Sequence, residues 1–254
     1  MGTSASNKGP ASGISLDPPW LPQDQQDNPA GPLIAPPARF RSARRELTEY
    51  LRTGDTHSLK RALGLYSHTG MGGAAKLSQR MQRTSKTAGG IFSFFQAIQN
   101  PTDASLREWV EALQNQNISK ENLIDSFVDR VLSIAGSLDE DSCRQAMDKA
   151  MVELLKQNED IDFFHLTANE IWLLLTHFVA NEAYNRFSID LGAKMERMSL
   201  SPELIVARQN EMLSYLYAEI QVQLQSARSQ NNDYSVERII STAIKNTFSV
   251  YEEE

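Results

Sequence analysis

One cysteine, Cys143, and four histidines, His57, His68, His165 and His177, are all that 254 residues offer of the softer metal ligands. A lone thiol excludes an intramolecular disulfide framework. It also cannot build a thiolate zinc site, and no two histidines stand four apart or fall in a His-Glu-x-x-His frame, so no metal or cofactor is expected. The longest unbroken aliphatic and aromatic run, Ile171–Leu175, has five residues, against roughly 20 for a membrane-spanning helix. No membrane span is expected. Nothing near the start pairs a charged stretch with an apolar one in the manner of a secretory signal, and a cytoplasmic protein follows as the expectation. Period-2 alternation is missing as well, which excludes a sheet and leaves an all-α, multi-helix globular body.

Proline is scarce except in one place. Eight of the ten prolines fall in the first 37 residues, with four glycines and many Ser, Asn, Gln and Asp. Proline removes backbone donors and fixes φ, and too few apolar side chains are present to offset the entropy of ordering. Residues 1–37 are therefore expected to form a disordered Pro/Gly-rich tail, extended in a polyproline-like manner. At about 3.1 Å per residue such a tail reaches on the order of 100 Å. Ile14, Leu16, Pro18, Pro19, Trp20 and Leu21 interrupt its polarity. A tryptophan beside two prolines puts a large apolar surface on a partly stiffened backbone, suited either to docking in a partner's groove or to folding back on the protein's own body.

From Arg39 onward the pattern is helical. Arg39–Thr53 reads as a helix closed by Gly54, and Thr56–His68 as a second that ends near Gly70. Gly70–Lys76 is too rich in glycine to be helical throughout, and Gly89-Gly90 marks a second break or a close-packing point. Thr102 or Asp103 caps a helix carrying Leu106, Trp109, Val110 and Leu113 on one face. Ser119 caps another that stops at Gly136, and Asp139–Lys156 repeats the stripe. Thr167-Ala-Asn-Glu170 is a capping box opening a central helix to about Phe187. Ser201-Pro202-Glu203 and Ser235 open the last two.

Charge divides the chain into three zones. Residues 1–37 carry −2, residues 38–86 carry eleven cations against three acids, and residues 87–254 carry −13. We read residues 38–100 as a basic helical segment with Gly-rich breaks and residues 101–254 as an acidic helical domain. Arg41, Arg44, Arg45, Lys60 and Arg61 can serve nucleic acid, another polyanion or an acidic partner surface, or can pair with the acidic body of the same chain.

No constellation of catalytic residues emerges, so the chain is not expected to be an enzyme. Glycines precede Lys76, but a phosphate loop needs Gly immediately before the Lys and Ser or Thr after it, and Ala75 and Leu77 occupy those places. Asp139-Glu140-Asp141 sits at a helix start, where acids favour the macrodipole. His177 follows the apolar run and reads as a hydrogen-bonded core or interface histidine rather than a general base.

The amino terminus carries the remaining chemistry. Gly2 permits removal of the initiator methionine and leaves an unhindered α-amine with a pKa near 8, well below that of lysine. Met1–Ser6 also fits the short N-myristoylation pattern. The opening Met-Gly-Thr-Ser-Ala-Ser, then Gly9-Pro10, Gly13 and Pro18-Pro19-Trp20-Leu21, resembles the start of QatB proteins of the bacterial Qat antiphage systems. That resemblance implies neighbours: an ATPase, a QueC-like enzyme and a TatD-like nuclease. QueC chemistry activates a deazaguanine carboxylate with ATP for attack by an amine. The resemblance thus implies Gly2 as a modification acceptor, with Thr3 and Ser4 small enough to follow it into a channel and Pro18, Pro19, Trp20 and Leu21 docking on the enzyme. The competing implication is a helical scaffold that bridges the ATPase and nuclease without modification.

Overall fold

The structure, a computed structural model, describes residues 13–16, 34–116, 118–132, 138–192, 200–230 and 234–253. Its elements in chain order are α1 (Arg41–Thr53), α2 (Thr56–Leu65), a π-helical segment (Tyr66–Met71), α3 (Ala74–Arg80), α4 (Gln82–Ala97), α5 (Ala104–Gln114), α6 (Lys120–Val131), α7 (Leu138–Gln157), α8 (Ala168–Leu191), α9 (Pro202–Gln230) and α10 (Val236–Glu252). Extended pairing among the described residues is limited to one antiparallel bridge, Ser15 with Ile34. The body is all-α, as the periodicity predicts.

Local chemistry sets most boundaries. Gly54 closes α1 in the left-handed conformation, φ 77°. Asp103 caps α5 by accepting from the Leu106 N–H at 2.8 Å, and both halves of the Thr167/Glu170 capping box are made. Two places differ from the sequence reading. Helix α6 ends at Val131 rather than Gly136: Leu132 turns to an extended conformation and its carbonyl accepts from Arg144 at 2.6 Å. Helix α2 does not simply run out near Gly70 but widens into a π turn. There Gly70 lets the Phe40 ring lie on the backbone, where an added Cβ would meet it at 2.5 Å, and Gly72 and Gly73 then take positive φ.

Helix α8 is the hub. It packs on α7, α9 and α4, while α10 packs on α9 and lies across α2, α3 and α4. Gly64 marks the tightest crossing, with the Tyr251 carbonyl 2.1 Å from where a Cβ would be. Gly89 is a close-packing point inside α4, against the Glu237 side chain of α10. An aromatic group gathers around Phe127, which lies 5.3–6.2 Å from Phe94, Phe95, Trp109, Phe163 and Phe164. Residues of the segment 38–100, Leu59, Leu77 and Ile91, share one core with Ile240, Ile244 and Phe248 of 101–254.

Part of the Pro/Gly-rich stretch is fixed to this body. The Gly13 N–H donates to the Ala35 carbonyl at 3.0 Å, and the Ala35 N–H returns to the Ile14 carbonyl at 2.8 Å. Leu16 is 3 % exposed, and Arg80 donates to its carbonyl. This strap corrects the expected reach of the tail. With the chain held at Gly13, Gly2 stands eleven residues from a fixed point, about 40 Å at full extension rather than 100 Å.

Candidate functional site

Of the residues singled out from sequence, Gly2, Thr3, Ser4, Pro18, Pro19, Trp20 and Leu21 lie outside the described residues. The basic set is placed, and it is largely spent within the chain. Arg45 donates twice to Glu46 Oε1, at 3.1 and 2.9 Å, and Arg61 stands 3.6 Å from the same oxygen. Arg44 donates to the Asp190 main-chain carbonyl at 2.9 Å. Lys60 is half-buried and engaged. Arg41 stays exposed on α1. Further along, Arg83 pairs with Glu140 and so ties basic α4 to acidic α7. Arg45 and Arg61 thus meet an acid of the basic block itself while their side chains stay exposed, and the Arg83–Glu140 pair joins the block to the acidic body.

A polar centre that the sequence does not announce lies under the strap. Asp190, at the C-terminal end of α8, is 7 % exposed. The phenol of Tyr66, first residue of the π segment, donates to its Oδ2 at 2.8 Å in full burial. Arg39 enters just ahead of α1, after Ala38 takes φ 51°, a conformation uncommon for a residue with a Cβ. Its guanidinium lies 4.5 Å from the centroid of the Phe40 ring, and that ring stacks on Tyr66 at 5.8 Å. Arg80 arrives from the end of α3 and Arg186 from one turn before Asp190. Five separate stretches of chain therefore converge here: the strap, the entry to α1, the π turn, α3 and α8.

Burial and charge act against each other in this centre. Burial pushes the Asp190 carboxyl above its ordinary value, while the Tyr66 hydrogen bond and the charges of Arg186, Arg39 and Arg80 pull it back. Burial lowers the Arg80 guanidinium, and the neighbouring Arg39 charge lowers it further. Burial, with the charge of Asp190 next, drives the Tyr66 phenol well up, which keeps it a neutral donor. Three guanidinium groups thus bear on Asp190, and one of them, Arg186, bears on the Glu182 carboxyl as well. Among the described residues, both terminal nitrogens of Arg39 and the Nε of Arg80 are buried without a hydrogen-bond partner. Such orphaned donors are costly, by about 1–3 kcal/mol each and more for charged groups.

Two smaller polar places flank α8. Glu182 accepts from Ser142 Oγ at 2.5 Å, Thr84 Oγ1 at 3.0 Å and Cys143 Sγ at 3.5 Å. Burial raises its carboxyl. A cavity of about 160 Å³ opens beside it, lined by Arg83, Thr87, Glu140 and Cys143 among others. His177 stacks on Tyr217 at 4.4 Å and meets Gln157 at 3.1 Å. Burial depresses its pKa, so it is the hydrogen-bonded core histidine read from sequence. No group of three or more His, Cys, Asp or Glu among the described residues is arranged to hold a metal ion, and no described helix is long and apolar enough to cross a membrane.

Sequence reasoning read Arg39 as the start of a helix and passed over Tyr66, Arg186 and Asp190. One signal was available. Asp190 is an acid near the negative end of a helix, where the macrodipole disfavours it, and an acid kept there calls for a specific partner.

These features define an all-α protein with a buried arginine–aspartate–tyrosine centre and Gly13–Leu16 strapped beside it. The model of the Qat anti-phage system associated protein QatB matches residues 72–251, over two thirds of the chain, and the chain belongs to that family. Membership gives it a role in Qat anti-phage defence among the components of such a system. The match covers the helical body from the end of the π segment onward and does not include the N-terminal residues on which the resemblance was drawn. No curated protein and no solved structure matches the chain.

Proposed function

We propose that the chain is a non-enzymatic member of its defence system that serves as a protein substrate, the α-amine of Gly2 being joined to a deazaguanine by a QueC-like partner enzyme. In this step the amine nitrogen forms an amide with the carboxylate carbon that ATP has activated, the activating group leaves, and the amine loses a proton. The observation that supports this reading best is the strap. Gly13–Leu16 is held by the Ala35 hydrogen bonds, the buried Leu16 side chain and Arg80. Eleven residues separate that anchor from Gly2, and Thr3 and Ser4 are small enough to follow Gly2 into a channel. On the far side, Trp20 is four residues past Leu16, so its docking surface lies within about 14 Å of the anchor.

Intact-mass measurement of Gly2 after co-expression with the QueC-like enzyme tests the proposal. A mass increase confined to the N-terminal peptide, absent in Gly2→Pro, is expected; an unchanged terminus sinks it. A truncation for this purpose removes residues 2–12, because deletion through Leu16 also strips a buried core residue.

The family match to residues 72–251 favours a second reading, since what the family shares is the helical body. In that reading the body is a scaffold between the system's ATPase and TatD-like nuclease. Phage protection that survives removal of residues 2–12 selects it.

A further inference from the structure

We propose that the Gly13–Leu16 strap is a releasable latch, which opens as a unit while the helical body stays folded and so sets how far the chain ahead of it reaches. The contacts that carry it lie between strap and body. Only its consequence for the Gly2 amine rests on the substrate reading.

The attachment stands apart from the rest of the fold. Leu16 and Ala35 are 3 % and 1 % exposed, yet neither belongs to the continuous apolar cluster that runs through the helices from Phe40 onward. The Ser15–Ile34 pairing is an isolated bridge, and a bridge without neighbouring rungs lacks the cooperative support of a sheet. Gly13 takes φ 85° with nothing within 4 Å of where its Cβ would be. The Ile14 and Ile34 side chains are 55 % and 61 % exposed. Ser15 is half-buried and engaged, and of the four strap residues Leu16 alone is fully buried. Helix α8, by contrast, is anchored in the cluster by Leu174, Leu175, Phe178 and Phe187. A segment secured by so little apolar burial opens at lower free energy than the whole molecule unfolds.

Release is also partly offset at the residue that holds the strap. Arg80 donates to the Leu16 carbonyl, a neutral acceptor, while its own Nε is buried without a partner among the described residues. Burial, with the Arg39 charge next, works against the charged guanidinium. Lifting the strap admits water to Arg80, which replaces the lost bond and supplies the orphaned Nε as well.

Opening moves the anchor of the N-terminal chain. Latched, Gly13 is the first fixed point described. Released, the firm attachment is the entry to α1, where Phe40 is buried in the cluster and stacks on Tyr66. The distance from Gly2 grows from eleven residues to 38, and the upper bound on reach from about 40 Å to about 130 Å. One chain thus has a short arm and a long one.

Amide hydrogen exchange of the full native chain, resolved by NMR, tests this without reference to Gly2. The Gly13 and Ala35 amides are expected to exchange together, about a hundredfold or more faster than Leu175 of α8 and about tenfold or more slower than unstructured peptide. Their rates should change little in urea well below the unfolding midpoint. Leu16→Ala is expected to speed both about tenfold or more and to leave Leu175 unchanged. Exchange of Gly13 and Ala35 in step with Leu175, at the same urea slope, makes the strap part of the global fold and overturns the proposal. Exchange at the rate of unstructured peptide overturns it too, because nothing is then latched. So does an acceleration of Leu175 in Leu16→Ala as large as that of the strap amides. An unmodified Gly2 sinks the substrate reading and leaves these rates as expected.

Discussion

The Tyr66 hydroxyl and the Asp190 carboxylate meet at 2.8 Å across 124 positions of sequence, both buried. The bond joins the π turn to the end of α8 and gives Asp190 a neutral donor amid guanidinium charges. Tyr66→Phe keeps the ring, its stacking on Phe40 and its edge contact with Phe187 at 5.1 Å, and removes only the donor. A loss of about 1–3 kcal/mol is expected, read as a lower urea midpoint at unchanged slope. An unmoved midpoint would mean the arginines alone hold Asp190.

Glu182 and Asp190 both have carboxyls raised by burial. Each binds its proton more readily in the folded chain than in the unfolded one, where the value is near 4.5 for Glu182. Their contribution to stability is accordingly complete below the unfolded value and declines as pH rises through the folded one. Glu182→Gln abolishes that decline at one position. Melting temperatures from pH 4 to 8 should show the variant gaining on wild type as pH increases, and parallel curves would contradict it.

The crossing of α2 on α10 depends on Gly64, where a Cβ would sit 2.1 Å from the Tyr251 carbonyl oxygen. Backbone cannot yield there cheaply, so Gly64→Ala is expected to cost about 1–3 kcal/mol. Gly90, exposed in the interior of α4, has open space around its missing Cβ. Gly90→Ala should stabilise by about 0.5–1 kcal/mol through helix propensity alone. Denaturation midpoints moving in the same direction for both would refute this account of the crossing.

Cys143 is buried beside Glu182, and burial followed by that carboxylate pushes its thiol up to about 12. Thiolate is the reactive form. Native protein at pH 7.5 is expected to take up no thiol reagent over hours and the denatured chain to take up one equivalent. Rapid labelling of native protein would place the thiol in a different environment.

Caps were legible because they are local: the Thr167/Glu170 box and the Asp103 and Ser235 caps follow from neighbours within a few residues. The arginine centre was not, because its members come from positions 16, 39, 66, 80 and 190 and share no periodicity. Charge zoning marked where cations are dense but not that Arg45 and Arg61 lean on Glu46 or that Arg39 turns inward. The π turn escaped because nothing in Tyr66–Met71 distinguishes a widened helix from an ending one until Phe40 is seen against Gly70. Leu16 belonged to the apolar patch for which docking on a partner and folding back on the body were both open, and its burial against the body follows the second for Leu16, which no local pattern could decide.

The strap at Gly13–Leu16 has a kinetic consequence. In the proposed substrate reading, the eleven residues between Gly13 and Gly2 span at most about 40 Å, and an amine on so short a linker would meet a partner seated on the same face at an effective concentration on the order of millimolar. A partner bound beside Arg80 would therefore meet the N-terminal amine at a rate set by the tether's length, nearly independent of how much of the protein the cell contains. Lengthening residues 3–12 would dilute that encounter without altering a single contact of the body.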